Sequence, residues 1–167
     1  LVINDTVEWS GKRKVLQDVV INKGGRLTVN ADIEMGIDRT IHVKPGGELI
    51  IDNADISNDC AGLWNGIRLY GSADYNNQSL PQGKISLLHG GTIQYADTAI
   101  KTIGLDEQGN IISGAGGGII FAHNAKFINN IRAVEINSTS GKNPSEFTLC
   151  QFLINKTLPD GTIPGDL

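Results

Sequence analysis

Aromatic residues make up only 5% of this 167-residue chain, and no apolar run approaches the roughly 18 residues needed to cross a bilayer. Net charge is −4, so there is no basic field to hold nucleic acid or an anionic membrane surface. Nucleophile elbows, phosphate loops and dinucleotide fingerprints are missing. The one dense glycine run, Gly114-Ala115-Gly116-Gly117-Gly118, precedes a strand pattern, so it cannot aim a helix N-terminus at phosphate. No leader segment is visible, and since the first residue is Leu1 this says nothing about export.

What is present is glycine, at 21 positions, with Ile, Leu and Val in short clusters, a composition that suits short strands and tight corners. The run Val19-Val20-Ile21-Asn22-Lys23-Gly24-Gly25-Arg26-Leu27-Thr28-Val29 recurs as Ile41-His42-Val43-Lys44-Pro45-Gly46-Gly47-Glu48-Leu49-Ile50-Ile51, every matched position displaced by 22 residues. Apolar residues alternate with others on both sides of the Gly pair, the period of strands, and the pair suits a corner with positive φ or close backbone approach. Hairpins would alternate strand direction, whereas a solenoid stacks one three-strand unit on the next.

Threading the chain on that unit gives a right-handed parallel β-helix, all-β, of about five three-strand coils over residues 16–155. A cap strand precedes it in 1–15. A tail follows in 156–167 and is expected to lead into a further part of the protein. The first strand of each rung carries Val19/Ile21, Ile41/Val43, Ile67/Leu69, Ile100/Thr102 and Val134/Ile136 inward. The second carries Leu27/Val29, Leu49/Ile51, Ile85/Leu87, Ile119/Phe121 and Phe147/Leu149. The third centres on Ile33, Ile56, Ile93, Phe127 and Phe152. At a strand spacing of ~4.8 Å the stack is roughly 20–25 Å tall.

In the last three rungs the corner after the first strand swells into Gly71–Gly83, Gly104–Gly117 and Asn137–Ser145, rich in Gly, Asn, Ser and Asp. All three leave one corner of successive rungs, so a contiguous loop wall is expected, a usual place for binding on a rigid scaffold. Freely drifting insertions would look the same. Within it, Asp74, Tyr75, Asn76 and Asn77 combine an aromatic with amides, which suits sugar binding. The outward residues of the first strands read Val20, His42, Arg68, Lys101 and Glu135, so His42, Arg68 and Lys101 fall on consecutive rungs where an acidic polysaccharide could meet them. A solvated mixed face is the plainer reading, since no clustered carboxylates accompany the bases.

The runs Pro45-Gly46-Gly47-Glu48-Leu49, Trp64-Asn65-Gly66-Ile67-Arg68-Leu69-Tyr70-Gly71 and Ser145-Glu146-Phe147-Thr148-Leu149-Cys150-Gln151-Phe152 resemble the coils of bacterial secreted and surface proteins with right-handed β-helix repeats, in the pectate-lyase-like superfamily. The resemblance covers roughly residues 9–155. It implies an extracellular or cell-surface location. It also implies a role among polysaccharide lyases and hydrolases, adhesins, or modular surface proteins without assigned chemistry. No lyase motif matches residue by residue, so no catalytic residue is carried over.

Two function classes follow. The first is a non-catalytic adhesin-like module of a larger surface or secreted protein, binding carbohydrate or a surface protein through the three loops, with end-to-end self-association at its open terminal rung. The second is a lyase or glycoside hydrolase acting on acidic polysaccharide through the Arg68 and Lys101 face, with calcium as its cofactor. The first ranks higher because the enzyme lacks its acids. No cofactor is otherwise expected and no metal ligands are assigned: His89, His123 and Asp52 fall near one corner column but read as turn residues beside Asn53 and Asn124. Asp106–Asn110 reads as a hairpin turn inside the fourth-rung insertion. Cys60 and Cys150 lie three rungs apart, ~14 Å, which predicts two free thiols.

Overall fold

The structure, a computed structural model, describes residues 1–58, 62–76 and 80–155. The chain winds through six successive coils of three strands. The first holds β1 (Val2–Ile3), β2 (Thr6–Trp9) and β3 (Arg13–Val15), and the second β4 (Val19–Ile21), β5 (Arg26–Val29) and β6 (Ile33–Met35). The third holds β7 (Thr40–Val43), β8 (Glu48–Asp52) and β9 (Asp55–Ser57), and the fourth β10 (Gly66–Ser72), β11 (Lys84–Leu88) and β12 (Thr92–Gln94). The fifth holds β13 (Thr98–Leu105), β14 (Ile119–His123) and β15 (Lys126–Ile128), and the sixth β16 (Arg132–Glu135), β17 (Glu146–Thr148) and β18 (Gln151–Leu153). No helix occurs among the described residues.

First strands pair only with first strands, second with second, third with third, giving three six-stranded parallel sheets, A, B and C. That is the architecture of a parallel β-helix of about six coils. Val19 pairs with Ile41, as the 22-residue repeat requires, and the longer steps from Ile41 to Ile67, Ile67 to Ile100 and Ile100 to Val134 keep the same column. Leu27 with Leu49 and Ile33 with Ile56 repeat the relation in sheets B and C. The inward columns are fully buried through the middle of the stack: Ile21, Leu27, Ile41, Leu49, Ile67, Ile85 and Ile93 all show 0% exposure. Each such side chain contributes about 1.5–3 kcal/mol by burial. Trp64 is buried with them, and its indole N–H donates to the Gln94 carbonyl at 2.9 Å.

Three features differ from the expectation. Residues 1–15 form a sixth coil at the base instead of a cap strand, with Ile3 beside Ile21 and Trp9 beside Val29. Ile3, Trp9 and Val15 supply the inward pattern, but the corner after β1 is only Asn4-Asp5, where the next coil has Asn22-Lys23-Gly24-Gly25. The Arg13 guanidinium lies 4.9 Å from the centroid of the Trp9 ring.

The second difference is a one-residue shift in β14. Ile120 and Ala122, not Ile119 and Phe121, stand over Ile85 and Leu87. Accordingly Ile120 is 0% exposed and Phe121 38%. The constraint is the corner: Gly118, at φ +84°, is followed by one outward residue before the inward column starts, as Gly25, Gly47 and Gly83 are.

The third lies at the corner after sheet B, where β17 is displaced by two residues. His123 pairs with Thr148, whereas the positive-φ corner position is held by Asn53, His89, Asn124 and Leu149 in successive coils. Leu149 therefore sits at the exposed corner and does not face inward, while Phe147 does, beside Ala122.

The two ends differ. At the base Ile3, Trp9 and Val15 are buried. In the sixth coil Ile136, Phe147, Leu153 and Phe152 are exposed, with the Phe152 ring stacked on Phe127 at 5.1 Å. The expected tail, 156–167, lies outside the described residues.

Candidate functional site

Strand alternation turns every second residue of sheet A outward. The expected strip forms in register: Val20, His42, Arg68, Lys101 and Glu135 are successive Cα partners on five adjacent strands. Two positions further along each strand, Lys44 and Tyr70 add a second outward column that the sequence reading passed over. It was available from the same alternation.

Neighbours change what the three bases can do. His42 Nδ1 lies 3.0 Å from the Tyr70 hydroxyl, and its ring stacks on the Tyr70 ring at 5.9 Å. Burial, then the Lys44 ammonium and the Arg68 guanidinium, push the His42 pKa below its ordinary value against the pull of Asp18, 4.0 Å away. The imidazole is therefore neutral at pH 7. Lys101 is held by Glu135 at 2.7 Å, and this contact lowers the Glu135 pKa. Arg68 has no ion pair among the described residues, and its Nη1 is buried without a hydrogen-bond partner. Lys44 lies 3.9 Å over the Tyr70 ring centroid, and burial lowers its pKa. The strip thus carries its unopposed positive charge on Arg68 and Lys44.

The insertions emerge at the ends of the long strands β10 and β13, whose Ser72 and Leu105 still pair. They do knit together. Asp74 bridges to Ser140 and Ala115 to Ser138, while Leu105 and Ile111 close an antiparallel turn around Asp106. Asp106 accepts from the Asn110 side-chain amide and from the backbone N–H groups of Asn110 and Gln108, which in that order lower its pKa. This is the hairpin expected for that segment.

The residues favoured for sugar contact are engaged inside this wall. The Asp74 carboxylate accepts the Asn76 N–H at 2.9 Å. The Tyr75 hydroxyl donates to the Gly118 carbonyl, and burial pushes its pKa up to about 12. Asn76 packs on Gly141, where an added Cβ would meet its amide. Asn77 lies outside the described residues. The bond from Tyr75 to Gly118 spans 43 residues and left no local signal to read.

The Tyr75 ring lines a cleft of about 620 Å3 at the corner between sheets A and B, with Gly46, Gly47, Glu48, Pro81 and Lys84. The Gln82 amide pins this insertion, accepting the Gly118 N–H at 2.6 Å and donating to the Ser72 carbonyl at 3.1 Å. Glu48 and Lys84 were not singled out from the sequence, though both hold the outward position that follows the corner glycine.

Elsewhere, Asp52 and His89 pair at 2.6 Å on the exposed corner. Among the described residues no group of three His, Cys, Asp or Glu side chains is placed to hold a metal ion. Cys150 is a half-buried free thiol bonded to the Ala122 carbonyl at 3.3 Å, and Cys60 lies outside the described residues. Compared with known proteins, the chain matches no family model, no curated protein and no solved structure.

Proposed function

We propose that this chain is a non-catalytic extracellular β-helix module of a larger surface or secreted protein, and that it binds an acidic polysaccharide. The polymer lies along the outer face of sheet A, against the ledge formed by loops 71–83, 104–117 and 137–145. The observation that carries the reading is Arg68. It is a guanidinium in the middle of a flat parallel-sheet face with no ion pair among the described residues and a buried Nη1 left without a partner. Half-buried and without an ion pair, the rest of its guanidinium can meet a ligand carboxylate, the strongest acceptor open to it.

Lys44 stands on the next outward column, over the ring of the buried Tyr70. Carboxylates repeated along a polymer suit cations repeated along a stack. The insertions, bridged at Asp74–Ser140 and Ala115–Ser138, stand along one side. The enzyme alternative has less behind it: the one carboxylate in the strip, Glu135, is already committed to Lys101. Exposed Phe147 and Phe152 on the sixth coil support, within the same proposal, end-to-end self-association.

The test is affinity for polygalacturonate against a neutral glucan at low and high salt, for the native chain and Arg68→Ala. Binding that is selective for the acidic polymer, falls with salt and drops at least about tenfold in the variant supports the reading. Equal binding of both polymers, or no loss in the variant, overturns it. Release of unsaturated uronate that disappears in Arg68→Ala moves the protein to the enzyme class.

A further inference from the structure

We infer that the cleft at the Gly46-Gly47 corner is a second site, separate from the strip, that binds a single neutral pyranose. It begins where sheet A ends and lies over the first outward residues of β8 and β11, with a volume of about 620 Å3. That falls within the range of small-ligand sites.

The polar groups are arranged for hydroxyls. Arg26 approaches Glu48 with both Nε and Nη2, each 2.6 Å from the same oxygen, Oε2. The carboxylate is thereby oriented and its other oxygen, Oε1, takes no hydrogen bond among the described residues. Lys84 is the register partner of Glu48 on the adjacent strand, so both residues line the cleft from one outward row. Lys84 forms no ion pair among the described residues. A carboxylate oxygen and a separate ammonium on one wall suit groups that both donate and accept. Vicinal hydroxyls do so. A ligand carboxylate only accepts, and it would leave Oε1 facing like charge.

The apolar groups suit a sugar's C–H face. Tyr75 is fixed through its hydroxyl to the Gly118 carbonyl and through its own N–H to the Ser140 carbonyl, so its ring is a rigid wall. Pro81 adds a second rigid surface, 3.4 Å from where a Cβ on Gly46 would lie. At the corner Gly46 has φ +77° with the Lys23 side chain beside it, and a Cβ on Gly47 would meet the Ile21 carbonyl oxygen at 2.7 Å. A held ring, a proline and two corner glycines shape the pocket before a ligand arrives, so little ordering entropy opposes binding.

The experiment is an amide NMR titration of the 15N-labelled chain with methyl glucoside, methyl galactoside and methyl mannoside, and separately with galacturonate. Saturable shifts centred on the Gly46, Gly47 and Lys84 amides with at least one neutral pyranoside are expected, and none there with galacturonate. Glu48→Gln should weaken that binding about tenfold, since it removes a charged acceptor and the Arg26 pair that orients it. Lys84 is exposed, so Lys84→Ala keeps the fold and provides a second reading, a loss of about threefold or more. The proposal is overturned if none of the three pyranosides gives saturable shifts at these amides, if galacturonate shifts them equally, or if both variants bind as tightly as the native chain. Loss of polygalacturonate binding in Arg68→Ala leaves these shifts unchanged, so the two sites fail independently.

Discussion

The side-chain oxygen of Asn130 accepts the backbone N–H of Ala96 at 2.9 Å, one coil back in the stack. The Asn130 amide nitrogen donates to the Ile93 carbonyl at 3.0 Å, so one buried side chain closes two backbone groups at the corner between sheets C and A. Removing it leaves both without a partner away from water. Asn130→Ala is therefore expected to cost about 2–4 kcal/mol. Urea denaturation followed by circular dichroism measures this, and a loss under about 0.5 kcal/mol, the range of ordinary surface substitutions, contradicts the bonding described.

The register of β14 gives a paired prediction. Ile120 is fully buried over Ile85, while Phe121 stands outward over Ser86. Ile120→Ala should destabilise by about 2–5 kcal/mol, through lost burial and a cavity. Phe121→Ala removes a larger side chain yet should cost no more than about 1 kcal/mol, because it is already partly in water. Reversal of that order places the whole strand one residue off.

This strand also marks where the sequence stops being legible. Elsewhere alternation identifies the inward face, as in Leu49-Ile50-Ile51 next to the polar Asp52 and in Ile85-Ser86-Leu87. Ile119-Ile120-Phe121-Ala122 is apolar throughout, so alternation carries no phase and the larger residues mislead. The phase was still recoverable from Gly118, which precedes Ile120 by the spacing of Gly25 to Leu27 and Gly47 to Leu49. The first coil was missed for a related reason. Its corner, Asn4-Asp5, lacks the Gly pair that made the repeat visible. For the candidate site, outward positions such as His42 and Arg68 follow from local periodicity. The engagement of Tyr75 with Gly118, 43 residues away, depends on the closed fold and has no local trace.

Two corner glycines should separate strain from collision. Gly24 has φ +84° with nothing within 4 Å of an added Cβ, so Gly24→Ala should cost only the left-handed backbone penalty, about 1–2 kcal/mol. Gly47 sits at ordinary φ, but its Cβ would meet the carbonyl oxygens of Ile21 at 2.7 Å, Asn22 at 3.0 Å and Lys44 at 3.1 Å. All three are backbone atoms of packed rungs and cannot swing aside, so Gly47→Ala should cost about 2 kcal/mol or more and disturb the pairing of β5 with β8. Thermal denaturation of the two variants side by side gives the ranking, and a Gly47→Ala protein as stable as the native chain contradicts the stacking.

His42 supplies the pH dependence. Burial first, then Lys44 and Arg68, hold its folded pKa below the ordinary value, with Asp18 opposing. In the unfolded chain the same imidazole takes its proton near its ordinary value of 6.5. Between the folded pKa and 6.5 the unfolded chain binds more protons, so stability falls as pH drops through that window and is fully present above it. His42→Gln should flatten this part of the stability curve. The same protonation adds a cation to the sheet A strip, so affinity for an acidic polysaccharide should rise below the folded pKa, on a fold slightly less stable. NMR titration of the His42 ring protons fixes the midpoint, and a value at or above 6.5 removes both effects. The coupling is reciprocal: bound polygalacturonate should move that midpoint upward, and a midpoint unmoved by saturating polymer means the chain of carboxylates does not lie beside His42.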